Sequence, residues 1–142
     1  MFQRIAALLM FSLLSACVGT GVKSYSSVMS IADKQQGNVF VLRDMGYVGG
    51  GALVAVFING QQIGEIGNGE TAIGKSSIGA NYVDARFSGV QGIGINSVNA
   101  SFTRTVNENK YFIIKMNSGL LSNTLQIIEV SENSFRTTMQ SM

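Results

Sequence analysis

Eight consecutive residues, Gly69-Glu70-Thr71-Ala72-Ile73-Gly74-Lys75-Ser76, satisfy the pattern G-x-x-x-x-G-K-S. In that spacing backbone amides can cradle phosphates while the lysine reaches the β and γ groups. The surroundings do not suit it. A phosphate loop follows a buried parallel strand and opens a helix, whereas Ser77-Ile78-Gly79-Ala80-Asn81 is a helix-poor Gly/Asn stretch leading into an alternating segment. Tyr82-Val83-Asp84 is too short and too amphipathic to be a Mg²⁺-aspartate strand. The string therefore reads as a glycine-rich connection with Lys75 in solvent. The chain has no histidine and one cysteine, Cys17. This excludes Ser-His-Asp and Cys-His nucleophile systems, imidazole metal ligands, a zinc knuckle and an internal disulfide. Asp44, Glu65 and Glu70 offer carboxylates, but nothing in their spacing converges them. Asp84 and Arg86 share one strand face, where a cross-strand ion pair is expected. Gly92-Ile93-Gly94 lacks the third glycine of a dinucleotide fingerprint, and Gly49-Gly50-Gly51 reads as a bend. Tyr47, Tyr82 and Tyr111 are expected to be half-buried strand tyrosines rather than one aromatic patch. No enzymatic activity, metal or cofactor is expected.

The one residue with an assignable chemistry stands near the start. Met1 to Arg4 form a short positive region and Ile5 to Leu14 an apolar run of ten residues. That run is too short to cross a hydrocarbon core of about 30 Å as a helix, so residues 1–16 read as a secretory signal. The run ends in Leu14-Ser15-Ala16-Cys17, which resembles the lipobox of bacterial lipoproteins. The resemblance implies recognition of Leu14, Ser15 and Ala16 by the lipoprotein signal peptidase, cleavage before Cys17, and acylation of the Cys17 sulfur and often its amine. Small side chains suit a peptidase cleft, and a thiolate suits acceptance of a diacylglyceryl group. Two or more acyl chains would hold the chain firmly on a membrane. Val18, where an inner-membrane retention signal would place Asp, implies the outer membrane, periplasmic face.

Val18 to Gly37, rich in Gly, Ser and Gln, reads as a flexible tether spanning roughly 25 Å as a coil. A short helix over Ser27 to Gln35 is the alternative, because Val28, Ile31 and Ala32 share an i, i+3, i+4 face. The lipidated N-terminus and tether thus cover 17–37 and the folded domain 38–142. From Asn38 onward the period is two. Val39 to Leu42 and Ala52 to Ile58 read as central strands buried on both faces. Asn59-Gly60 is a type I′ hairpin signal, and the return strand Gln61 to Ile66 carries the parity break of a bulge or short edge. Val83, Ala85 and Phe87 alternate with Tyr82, Asp84 and Arg86. Val98, Ala100 and Phe102 repeat the pattern. Asn107-Glu108-Asn109 is a turn, Tyr111 to Met116 and Leu125 to Val130 are strands, and Ser131 is placed to cap one short terminal helix. The expected fold is all-β: an antiparallel β-sandwich or small barrel of about seven to eight strands.

The order of Val39-x-Val41-x-Arg43, a Gly/Ala-rich turn, Ile58-Asn59-Gly60, Ile63-Gly64-Glu65-Ile66-x-Asn68-Gly69 and Asn107-x-x-Lys110-Tyr111 to Ile114 resembles a lipoprotein-borne domain family of unknown function akin to PEGA-type β-sandwich modules. Membership would imply a place behind a lipobox on an envelope protein, with no activity or cofactor. The chain departs from that family at one turn, usually Pro-Gly-His-like. It has neither Pro nor His, and Ser88 to Gly94 stands there instead. Ten bases against eight acids, net +2, give no basic stripe for nucleic acid. The expected function is a lipid-anchored, non-enzymatic module contacting another envelope protein. The alternative is binding of a small ligand, glycan or peptidoglycan at Asp44 to Gly51 and Gly67 to Asn81.

Overall fold

A computed structural model of the chain describes residues 19–46, 52–88, 97–118 and 123–142. Leu14, Ser15, Ala16, Cys17, Tyr47, Gly49 to Gly51 and Gly92 to Gly94 lie outside the described residues. The described residues form β1 (Asn38–Arg43), β2 (Val54–Ile58), β3 (Gln61–Ile66), β4 (Thr71–Lys75), β5 (Gly79–Phe87), β6 (Val98–Arg104), β7 (Lys110–Ser118) and β8 (Asn123–Val130). Helix α1 (Tyr25–Lys34) precedes the strands and α2 (Glu132–Gln140) follows them. Two four-stranded sheets, ordered β4-β1-β7-β8 and β3-β2-β5-β6, make a sandwich rather than a closed barrel.

Successive strands reverse direction at each connection, so odd-numbered strands run one way and even-numbered strands the other. Neighbours of opposite parity pair antiparallel. β1 and β7 share parity and pair in parallel, Val39 beside Lys110 and Val41 beside Phe112. The expected antiparallel sandwich therefore holds at every pair but this one.

Alternation explains the burial. Val39 and Val41 enter the core between the sheets with Val54, Val56, Val83, Ala85, Phe102 and Phe112. Phe102 and Phe112 meet edge to face across that core, centroids 5.2 Å apart. The other face of β1, Phe40 and Leu42, joins Tyr111 and Ile113 in a second core beneath the helices. Asn59 and Gly60 take φ of 49° and 81°, as a type I′ turn requires. The β2–β3 register skips Ile63, so the parity break is a bulge, and it lies on an edge strand.

The flexible tether expected over 17–37 is corrected from Gly19 onward. Ser24 accepts the Ser27 amide to cap α1, and Val28, Met29 and Ala32 are buried. Burial of that apolar face against Phe40 and Tyr111 outweighs the polar composition that suggested a stalk. The helix matches the alternative reading, with bounds Tyr25–Lys34 rather than Ser27 to Gln35. Asn109 Nδ2 donates to Ala32 O and Gln35 O, both at 3.1 Å, satisfying carbonyls at the helix C-terminus. The folded unit thus begins well before Asn38. Ser131 caps α2 as expected, and Phe135 packs against Phe40 and Tyr111.

Candidate functional site

The G-x-x-x-x-G-K-S string is not a phosphate cradle. Thr71 to Lys75 is β4, antiparallel to β1, with Val41 opposite Ala72 and Asn38 opposite Lys75. Extended backbone bonded to a neighbouring strand cannot wrap its amides around an anion. Both glycines have packing reasons instead. Gly69 turns the chain at φ 72°. A Cβ on Gly74 would lie 2.6 Å from Ile63 Cγ2 and 3.0 Å from Ile58 Cδ1, so its absence lets β3 and β4 meet at the corner of the sandwich. The glycine-rich connection expected here is therefore corrected to a strand, β4. Its lysine lies at the exposed strand end, where Nζ donates to Gln36 O at 3.0 Å.

The first described residues after Cys17 are bonded closely to both sheets. Thr20 N donates to Glu65 O at 2.7 Å, and Glu65 N donates back to Thr20 Oγ1 at 2.9 Å. Val22 and Thr71 exchange two backbone bonds, each 2.9 Å. Glu65 lies on β3 and Thr71 on β4, so Gly19 to Val22 form a strap along the seam between the two sheets. Glycine permits the close approach: a Cβ on Gly21 would lie 2.7 Å from both Glu70 Cβ and Ile66 Cγ2, and one on Gly19 would collide with Glu70 Oε2.

Under the strap two buried charged residues, Arg43 and Glu70, act on each other electrostatically. Arg43, 2 % exposed, donates through Nη1 to Ala52 O and, at 3.3 Å, to Ile66 O. Burial pushes its pKa down, and the nearby Glu70 carboxylate opposes that by favouring the cation. Glu70 is 6 % exposed, accepts the Gly67 amide at 2.9 Å, and has Lys23 Nζ 3.9 Å away. Arg43 and Glu70 also join through backbone, Arg43 N to Glu70 O and Gly69 N to Arg43 O, each 2.9 Å. The pair welds the β3–β4 turn to the end of β1. Both charges are occupied in holding structure.

The remaining candidates disperse. Glu65 accepts from Ser88 Oγ at 3.0 Å, and the Asp44 amide donates to Ile114 O at 3.0 Å. Asp84 and Arg86 do not form the expected ion pair. Arg86 lies over the Phe57 ring at 4.3 Å, a cation–π contact on the same sheet face, and Asp84 Oδ1 is buried with no hydrogen-bond partner among the described residues. Tyr82 is exposed on one sheet while Tyr111 is buried under the helices of the other, so these two share no patch.

At the opposite end of the sandwich, a shallow cleft of about 650 Å³ lies between Asn59, Asn81, Tyr82, Ser101, Thr103 and Glu129. Beside it Lys110 Nζ bridges Glu108 at 2.9 Å and Glu129 at 3.1 Å. The Lys110 bond, then the Thr105 amide and hydroxyl, hold Glu108 down to about 2, and Glu108 in turn raises Lys110. Among the described residues, no group of three or more His, Cys, Asp or Glu could hold a metal ion, and no helix is long and apolar enough to cross a membrane.

The fold defines a two-sheet sandwich backed by two helices, with a seam strap formed by Gly19 to Val22. Compared with protein-family models, curated proteins and solved structures, the chain finds no match in any of the three. Sequence reasoning missed the strap and the Arg43–Glu70 pair. The available signal was Arg43 closing an otherwise apolar strand, a charge that needs a buried partner if the strand is central.

Proposed function

We propose that this chain is an outer-membrane lipoprotein, anchored by acyl groups on Cys17, whose sandwich is a non-enzymatic module for contact with another envelope protein. The resemblance to PEGA-like lipoprotein domains belongs to the same proposal. The observation that carries it is an asymmetry between the two flanks of the sandwich. On one flank the edge strands are guarded: β3 by the Ile63 bulge and by Thr20, β4 by Val22. On the other flank β6 and β8 end their sheets side by side with unbroken register, and no described residue pairs with their outer edges. Neither strand carries Lys or Pro, the usual guards of an unused edge. Such an edge suits strand addition, in which a partner's extended segment supplies the missing main-chain bonds.

Two measurements test this. Labelled palmitate should enter wild type and not Cys17→Ala, and a wild type without label sinks the anchoring. A partner captured from detergent-solubilised membranes should be lost when Ser101→Lys and Gln126→Lys are combined. Capture unaffected by that pair removes the edge from the interface. A second reading, glycan binding, is favoured by one observation: exposed Tyr82 amid Asn, Ser and Thr side chains in the 650 Å³ cleft. It requires that Tyr82→Ala abolish retention on peptidoglycan.

A further inference from the structure

We propose that the strap end of the sandwich is held directly against the lipid surface, with no stalk between anchor and domain. This rests on the reading of Cys17 as the lipidated residue. The chain from Cys17 to Gly19 is two residue steps, at most roughly 7 Å. From Thr20 onward it is bonded to both sheets, through Glu65 on β3 and Thr71 on β4. The glycines at 19 and 21 are seated against Glu70 and Ile66, so the strap has no slack to release without losing those bonds. An anchor at Cys17 therefore fixes which end of the molecule meets the bilayer. That end carries the Gly67 to Glu70 turn and Met45, an exposed apolar side chain close enough to Gly69 that a Cβ there would lie 3.3 Å from its sulfur. The Asn59-Gly60 turn, Ile78 and Val106 lie at the other end, strand lengths of roughly 20 to 30 Å away. The orientation leaves the β6 and β8 edges standing along the membrane normal, reachable by a partner from the side.

The test uses the whole chain, isolated from a diderm host and reconstituted into nanodiscs whose lipid carries a paramagnetic chelate on its headgroup. Amide relaxation at Asn68 and Gly69 should be enhanced severalfold over that at Gly60 and Ile78. A flexible Gly-Ser segment inserted between Val18 and Gly19 should abolish the difference while leaving the fold unchanged. Gly21→Val should do the same by unseating the strap, with faster hydrogen exchange at Thr20 and Val22 but not in β1 or β7. Mass measurement of the isolated protein separates the two ways of failing. An acylated chain with equal relaxation at both ends overturns the orientation alone, whereas a chain without acyl groups overturns the lipoprotein reading and the orientation with it.

Discussion

Arg43 is the residue on which most of the strap end depends. Its guanidinium donates to the Ala52 and Ile66 carbonyls, is favoured as a cation by the Glu70 carboxylate, and has almost no solvent contact. Removing the guanidinium leaves the buried Ala52 and Ile66 carbonyls without their donor, which costs about 1 to 3 kcal/mol. Arg43→Met should therefore lower stability by about that much in urea unfolding. A loss under about 1 kcal/mol would mean that water reaches those carbonyls. At the other end Glu108 supplies a pH signature. Its folded pKa, about 2, lies below the ordinary carboxylate value, so its stabilisation is complete above about pH 4.5 and disappears as pH falls toward 2. The carboxylate is one-third exposed, so the effect is at most about 1 kcal/mol. Glu108→Gln should lower the unfolding midpoint at pH 7 and match wild type at pH 2. A constant difference across that range assigns the loss to something other than the charge.

At the scale of elements, β4 separates motif from meaning. Its glycine at 74 is there for contact with Ile63 and Ile58, and its lysine is at the surface. Gly74→Val should cost about 1 to 3 kcal/mol by overpacking the β3–β4 corner. Lys75→Ala should change stability by no more than about 0.5 kcal/mol. The reverse order in thermal unfolding would return importance to the lysine. The strands with clean alternation, β5 and β6, were legible because period two and burial on one face are the same fact seen twice. Asn59-Gly60 and Ser131 were legible because turn and cap preferences act within four residues. β4 was not legible. Thr71 to Lys75 is short and glycine-broken, and it becomes a strand through backbone bonds to β1 on one side and, at Thr71, to the strap on the other.

For the whole molecule, the outer face of the β4-β1-β7-β8 sheet decides where the domain begins. Phe40, Leu42, Tyr111 and Ile113 would be bare without α1 and α2, and α1 is tied to α2 by Arg136 on Asp33 and by Gln140 on Tyr25. A chain beginning at Asn38, the start expected of a tethered domain, should lose cooperative unfolding and bind an apolar dye. A version beginning at Gly19 should unfold in one step at the wild-type midpoint. Equal stability of the two chains would restore the tether. The strap and helix also change the reach of the anchor proposed at Cys17. A coil of twenty residues would let the domain roam about an anchor at Cys17, whereas a seam bonded from Thr20 onward would hold it close to one.

Local chemistry was enough for seven of the eight strands, the hairpin turn, the terminal helix cap and the sandwich class, because each is written in neighbouring residues or in a short period. Contacts across space settled the rest. The same glycine reads as slack in a linker and as clearance in a packed seam, and Gly19, Gly21 and Gly74 differ from linker glycines only in what stands opposite them. Likewise, the parallel β1–β7 pair follows from how many strands intervene and which sheet each joins, a property of the assembled sandwich that no window of the chain contains.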